Sequence, residues 1–217
     1  METRTIETRT HGRYLVRTPP GKGPWPLLVG FHGYRESAAS HLTMLERIPG
    51  VGEWLIVAIQ GLHRFYTKGG DVVASWMTKE DRELAIADNI EYVRQVLDAV
   101  RGEFPTDRSL VFVGFSQGTA MAFRAAAHVQ ASGLIVVGAD VPPDVAAGTL
   151  MPLPRLLYGR GSRDELYTAE HHARDLAALE RLGAQVHSIV FIGGHEMTGD
   201  VLAACGEYLR LQRGSSD

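Results

Sequence analysis

Cysteine is nearly missing: Cys205 stands alone in 217 residues. That excludes a disulfide framework, a Cys-rich zinc site and a cysteine-ligated iron–sulfur cluster. Long hydrophobic runs are lacking too, none approaching the roughly 18–20 apolar residues that cross a bilayer. The stretch Met1 to Arg17 mixes charge with threonine and has no apolar centre of the kind a signal peptide needs. Neither sign of charge dominates: 22 Lys and Arg against 25 Asp and Glu leave a formal net charge of -3, so nucleic acid is not an expected partner. No fixed-period repeat, low-complexity segment or long linker divides the chain. The expectation is one cytoplasmic domain over 1–217, large enough to bury a core without cross-links.

What the sequence does have is an alternation of short apolar runs with longer helical stretches, at 45% apolar and 22% charged residues, an ordinary globular mixture. Tyr14 to Val16 reads as an edge strand. Trp25 to Phe31, Trp54 to Ile59, Leu110 to Phe115, Leu134 to Val137, Arg155 to Tyr158 and Val186 to Ile192 read as strands buried on both faces. The clearest helix spans Lys79 to Arg101, with Thr78 as its N-cap and Gly102 at its end. Ile86, Ile90, Val93, Leu97 and Val100 recur at alternating spacings of four and three and form one apolar stripe. Further helices are expected at 37–47, 117–128, 169–181 and 198–211. Such alternation predicts an α/β fold, a mostly parallel twisted sheet with helices on both faces. Ligands of such sheets bind beyond the carboxyl ends of the strands.

One strand end stands out. Leu110 to Phe115 runs into Gly114-Phe115-Ser116-Gln117-Gly118, the G-x-S-x-G pattern. A serine on so sharp a strand-to-helix turn sits in a strained backbone, and glycines two residues either side remove side chains that would collide. A serine hydroxyl needs a base, and the base an acid, in the chain order Ser, Asp or Glu, His. Of the later histidines, His128, His171 and His172 fall on helices and His187 inside a strand. Only His195 directly follows a strand, after Gly193-Gly194. Asp164 follows the penultimate strand and is preferred over Asp140, Asp144 and Glu165 as the acid. Donors for an oxyanion are expected from the amides of Gln117, next to the serine, and of Tyr34, in Phe31-His32-Gly33-Tyr34. His32 precedes the serine and is read as a loop-fixing residue. Trp76, Phe65 and Phe115 are candidates to line a substrate pocket. His195-Glu196 lacks the second histidine of a zinc motif, so no metal and no other cofactor is expected.

On Phe31-His32-Gly33, Gly114-Phe115-Ser116-Gln117-Gly118, Gly161-Ser162-Arg163-Asp164 and Gly194-His195-Glu196, the chain resembles the α/β-hydrolase superfamily. Within it, the chain is similar to the phospholipase/carboxylesterase family, which includes acyl-protein thioesterases. Ala74-Ser75-Trp76 before a long helix adds to the likeness. The resemblance extends from Pro26 to about Leu211 and implies Ser116, Asp164 and His195 as a catalytic triad. It departs from the family at Tyr34-Arg35-Glu36, where a second glycine or small polar segment is usual, at Thr119, and over Gly138 to Pro143.

The function expected from these residues is hydrolysis of short or medium carboxylic esters through an acyl-enzyme. The partner is a small-molecule ester, a homodimer being compatible with the sequence. Gly61 to Ser75 is too short for a helical cap, so an open site is expected. Acyl thioesterase and lysophospholipase activities are the alternatives among enzymes. A non-catalytic ligand-binding protein on the same fold is the alternative outside them.

Overall fold

The computed structural model describes residues 2–214. Strands β1 (Arg13–Arg17), β2 (Trp25–Phe31), β3 (Leu55–Gln60), β6 (Thr106–Phe115), β7 (Gly133–Val137), β8 (Leu156–Gly161) and β9 (Val186–Phe191) form one sheet in the order β1-β3-β2-β6-β7-β8-β9. Only β1 is antiparallel to its neighbour; every other pairing is parallel. Strands β4 (His63–Tyr66) and β5 (Val72–Ser75) make a separate antiparallel hairpin. The helices are α1 (Ala38–Leu45), α2 (Arg82–Glu103), α3 (Gln117–His128), α4 (Pro143–Ala146), α5 (Ala169–Arg181) and α6 (Gly199–Gly214).

Side chains of a strand alternate between faces, and this divides the core into two layers. Leu27, Val29 and Phe31 of β2 pack with Val93, Leu97 and Val100 of α2 and with Ala122 and Phe123 of α3. Leu28 points the other way, to a layer with Leu45 of α1 and Val201, Leu202, Cys205 and Leu209 of α6. Both faces of the sheet are therefore covered, which is why its strands read as continuous apolar runs. Cys205 is fully buried and its thiol is pushed up to about 12 by burial, a packing residue without thiolate character.

Several boundaries differ from the sequence reading. α2 starts at Arg82, not Lys79, because Asp81 takes a left-handed conformation (φ 47°, ψ 40°) and the Thr78 hydroxyl donates to Glu80 O instead of capping the helix. In its first half the buried stripe is Ala85 and Asn89, one position before the expected Ile86 and Ile90, which are half-buried. Asn89 is drawn inward because its side-chain amide donates to Trp76 O at 2.7 Å. β8 runs on to Gly161, past the expected strand end at Tyr158. No helix of the described residues is long and apolar enough to cross a membrane.

Candidate active site

Strand β6 ends at Phe115 and α3 begins at Gln117, so Ser116 alone makes the turn between them. Its backbone is at φ 51° and ψ −125°, a region that L-residues avoid. The flanking glycines admit that turn. A Cβ on Gly118 would lie 2.0 Å from Phe31 O, and one on Gly114 would lie 2.6 Å from Gly118 O. The Ser116 amide donates to Val137 O at 3.0 Å, tying the turn to the end of β7.

The loop after β9 brings His195 to the serine, with Nε2 2.8 Å from Ser116 Oγ. On the far side of the ring, Nδ1 lies 2.9 Å from Asp164 Oδ2. A carboxylate can only accept, so Nδ1 carries the proton and Nε2 is left to accept from the serine hydroxyl. The other Asp164 oxygen accepts from the amides of Leu166 and Tyr167 at 2.9 and 2.8 Å. Asp164 is buried and its orientation is fixed on both oxygens. Two glycines admit this loop pair: a Cβ on Gly161 would lie 2.1 Å from Gly194 O, and one on Gly138 would press on the His195 ring.

The competing groups lie elsewhere. Asp140 pairs with Arg174 at 2.6 Å, Asp144 holds the buried Arg124 at 2.7 Å, and Glu165 is exposed. His128 bonds to Arg124 O, His172 to Ser188 Oγ, and His187 is exposed on β9. No group of three His, Cys, Asp or Glu side chains is placed to hold a metal among the described residues.

Two backbone amides are the expected oxyanion donors. Gln117 is the first residue of α3, where an amide has no intrahelical acceptor and the helix dipole is positive. Its side chain is engaged separately, accepting from Trp76 N at 3.0 Å and donating to Ser75 Oγ at 3.0 Å. The Tyr34 amide lies in a tight turn in which Glu36 N donates to Gly33 O and Gly33 N donates to Glu36 Oε2 at 2.8 Å. Arg35 adopts φ 63° to close it, within the Tyr34-Arg35-Glu36 stretch that departs from the resemblance. His32 anchors the turn from below. Its Nε2 accepts from Gly61 N at 3.0 Å, so Nδ1 carries the proton and donates to Gly33 O at 2.7 Å. Burial lowers its pKa, which keeps the ring neutral for both bonds.

The three aromatic candidates separate. Phe115 lies beside the His195 ring at 5.1 Å between centroids, and Phe65 beside Tyr34 at 5.7 Å. Trp76 is fully buried, edge-on to Phe31, with its indole N–H donating to His32 O at 2.8 Å. It supports the loop from inside and presents no face to solvent, which corrects its expected place in a pocket wall. Two surface cavities, one lined by Arg155, Gln185 and His187 and one by Pro20, Trp25 and Arg213, lie at the amino ends of strands, away from Ser116.

Glu36 was not singled out from the sequence. Its signal is faint, since only the three-residue return from Gly33 hints at a side chain folding back. A methyl group placed on Gly33 would stand 3.3 Å from both the Glu36 carboxyl carbon and Ser116 Cβ. Burial raises the Glu36 pKa, opposed by its bond to the Gly33 amide and by attraction to His195.

No family model and no curated protein matches the sequence. Solved structures do match the fold. A Bacillus cereus carboxylesterase superposes with a TM-score of 0.72 at 18% identity, covering 93% of this chain and 94% of its own. A Zea mays acyl-protein thioesterase 2 gives 0.71 at 20% identity, covering 93% and 99%. Esterase PE8 gives 0.70 at 23% identity, covering 92% and 97%. With its seven-stranded, mostly parallel sheet, helices on both faces and a strained serine at a strand-to-helix turn, the chain has the α/β-hydrolase fold.

Proposed function

We propose that the protein is a serine hydrolase that cleaves carboxylic esters through an acyl-enzyme. The observation that carries this reading is the hydrogen-bonded chain from Ser116 Oγ through His195 to Asp164, at 2.8 and 2.9 Å. Ser116 Oγ attacks the ester carbonyl while His195 Nε2 takes its proton. The Tyr34 and Gln117 amides bind the oxyanion that forms. His195 then returns the proton to the departing alcohol, and the acyl group remains on Ser116. Water attacks the acyl-enzyme, with His195 again accepting a proton. Asp164 keeps the imidazole in the required tautomer and stabilises its charged form.

The segment 61–75 is occupied by the β4–β5 hairpin, which supplies no helical cap. That supports an open site, suited to short or medium acyl chains, with Phe115 and Phe65 beside it. Likeness in fold to the maize thioesterase supports thioester hydrolysis as the second reading. The cytoplasm remains the proposed compartment, and a small-molecule ester the proposed partner.

The test is a p-nitrophenyl ester series from acetate to palmitate, run beside Ser116→Ala. Hydrolysis of the short esters is expected, falling by about a thousandfold or more in the variant. Turnover that survives in Ser116→Ala sinks the assignment, and a preference for palmitate sinks the open-site reading.

A further inference from the structure

Glu36 is a carboxylate beside the proposed nucleophile, attracted to His195 but ion-paired to no Lys or Arg of the described residues. Its Oε2 accepts from Gly33 N at 2.8 Å, while Oε1 has no hydrogen-bond partner among the described residues. No Lys or Arg of the described residues lies within ion-pair distance of it. The nearest basic group, His41 Nδ1, stands 4.0 Å from Oε2. His41 carries no charge to offer, because burial pushes its imidazole down to about 3. The Glu36 side chain is 34% exposed, open enough for a bound molecule to approach. It also lies across Gly33 from Ser116, so close that one methyl group on Gly33 would touch both.

Two substituents of the reacting carbon already have partners in the proposed mechanism. The departing oxygen must face His195 Nε2, which protonates it. The oxyanion must face the Tyr34 and Gln117 amides. The acyl chain is the substituent left without an assigned partner, and Glu36 is the charged side chain that lies across Gly33 from Ser116.

We propose that Glu36 is a specificity-determining residue, its free carboxylate oxygen favouring esters with a cationic acyl group and disfavouring those with an anionic one. The inference rests on the serine-hydrolase reading and deepens it by naming a substrate class. A carboxylate a few ångströms from the acyl chain, in a partly solvated site, changes the relative rate of two oppositely charged substrates by roughly tenfold or more.

The experiment compares three p-nitrophenyl esters with one leaving group: the butyrate, the same acyl chain with a terminal trimethylammonium, and the hemiglutarate with a terminal carboxylate. kcat/KM is measured at about pH 8, where a carboxylate is ionised, for the wild-type protein and Glu36→Gln. Glutamine retains an oxygen that can accept from Gly33 N, so the turn is kept while the charge goes. The wild type should prefer the cationic ester to the anionic one, and the ratio should fall by about tenfold in Glu36→Gln. Using the ratio cancels any general loss of activity in the variant. A wild type with no preference, or with the reverse, overturns the inference without recourse to the variant. An unchanged ratio in an active Glu36→Gln overturns it as well. Wild-type silence on all three esters, the neutral one included, overturns the hydrolase reading and takes this inference with it.

Discussion

Gly118 lies directly against Phe31: a Cβ there would stand 2.0 Å from the Phe31 carbonyl oxygen and 2.7 Å from that of His32. These are backbone atoms of β2 and of the turn that follows it. Neither can yield without moving the loop that carries Tyr34. The glycine is thus demanded by how closely α3 approaches β2. Gly118→Ala is expected to cost at least about 3 kcal/mol, enough to prevent accumulation of folded protein. Soluble Gly118→Ala with a wild-type melting curve would contradict this packing.

Ser116 sits at φ 51° and ψ −125°, where only glycine is free of strain. Strain of this kind costs on the order of 1–3 kcal/mol. Both Ser116→Ala and Ser116→Gly remove the hydroxyl, but only glycine relieves the backbone. Ser116→Gly is therefore expected to melt about 2–4 °C above Ser116→Ala, with both variants inactive. Differential scanning calorimetry of the pair checks it; equal melting temperatures would mean the turn is unstrained.

Burial dominates the lowering of His41 to about 3, and a proton on nearby His32 would oppose one on His41 as well. In an unfolded chain the same imidazole titrates near about 6.5. Below that value the unfolded state binds a proton the native state refuses. The stabilising contribution of neutral His41 is thus fully present above about pH 6.5 and is lost as the pH falls towards about 3. His32 and His172, both lowered by burial, act in the same direction. Urea unfolding should show stability declining from about pH 6.5 to about pH 4. His41→Leu, which also removes a buried Nε2 that has no partner, should make that decline shallower. An identical slope in the variant refutes the assignment.

Asp175 holds together two loops of the site. Its Oδ2 accepts from Val141 N at 3.0 Å and from the hydroxyls of Tyr158 and Tyr167 at 3.1 Å each. Oδ1 accepts from Arg174 Nε and Nη2. Tyr167 in turn donates its amide to Asp164. Asp175→Ala leaves several buried donors without acceptors and is expected to lower Tm by roughly 5–10 °C. Ester turnover measured well below the variant's Tm should fall as well, through loosening of Asp164. Full turnover there would show the Asp164 loop to be held by other contacts.

Much of this architecture was legible because of where the strands lie. β2, β3, β6 and β7 are enclosed on both faces, and enclosure demands apolar side chains at consecutive positions. Ser116, Asp164 and His195 could be named because each stands just past a strand end. The β4–β5 hairpin was missed because its outer strand, His63–Tyr66, is mostly exposed and has no apolar pattern. The start of α2 was misplaced because Asp81 breaks the helix with a backbone conformation that its side chain does not announce. Trp76 was a candidate for a pocket wall because an aromatic near a strand end suits a pocket wall and a core equally. Only the Asn89 and His32 bonds decide between them. Glu36 stayed hidden for a related reason: its position depends on the left-handed Arg35, a residue type that rarely takes that conformation.

The β4–β5 hairpin is stitched to the 33–36 turn through both of its neighbours there. Arg35 N donates to Ala74 O at 3.1 Å and Ala74 N to Glu36 O at 2.9 Å. The following residues, Ser75 and Trp76, are bonded to the Gln117 side chain. Tyr34 and Gln117 lie far apart in the sequence, yet this one short ribbon is bonded beside both. Its far end is the solvent-exposed tip around Gly69 and Gly70. Substitutions at that tip lie away from Ser116, but any shift they cause would reach both the 33–36 turn and the Gln117 side chain. Drift in such an exposed ribbon gives natural variation a way to retune the rate while the serine, histidine and aspartate stay fixed.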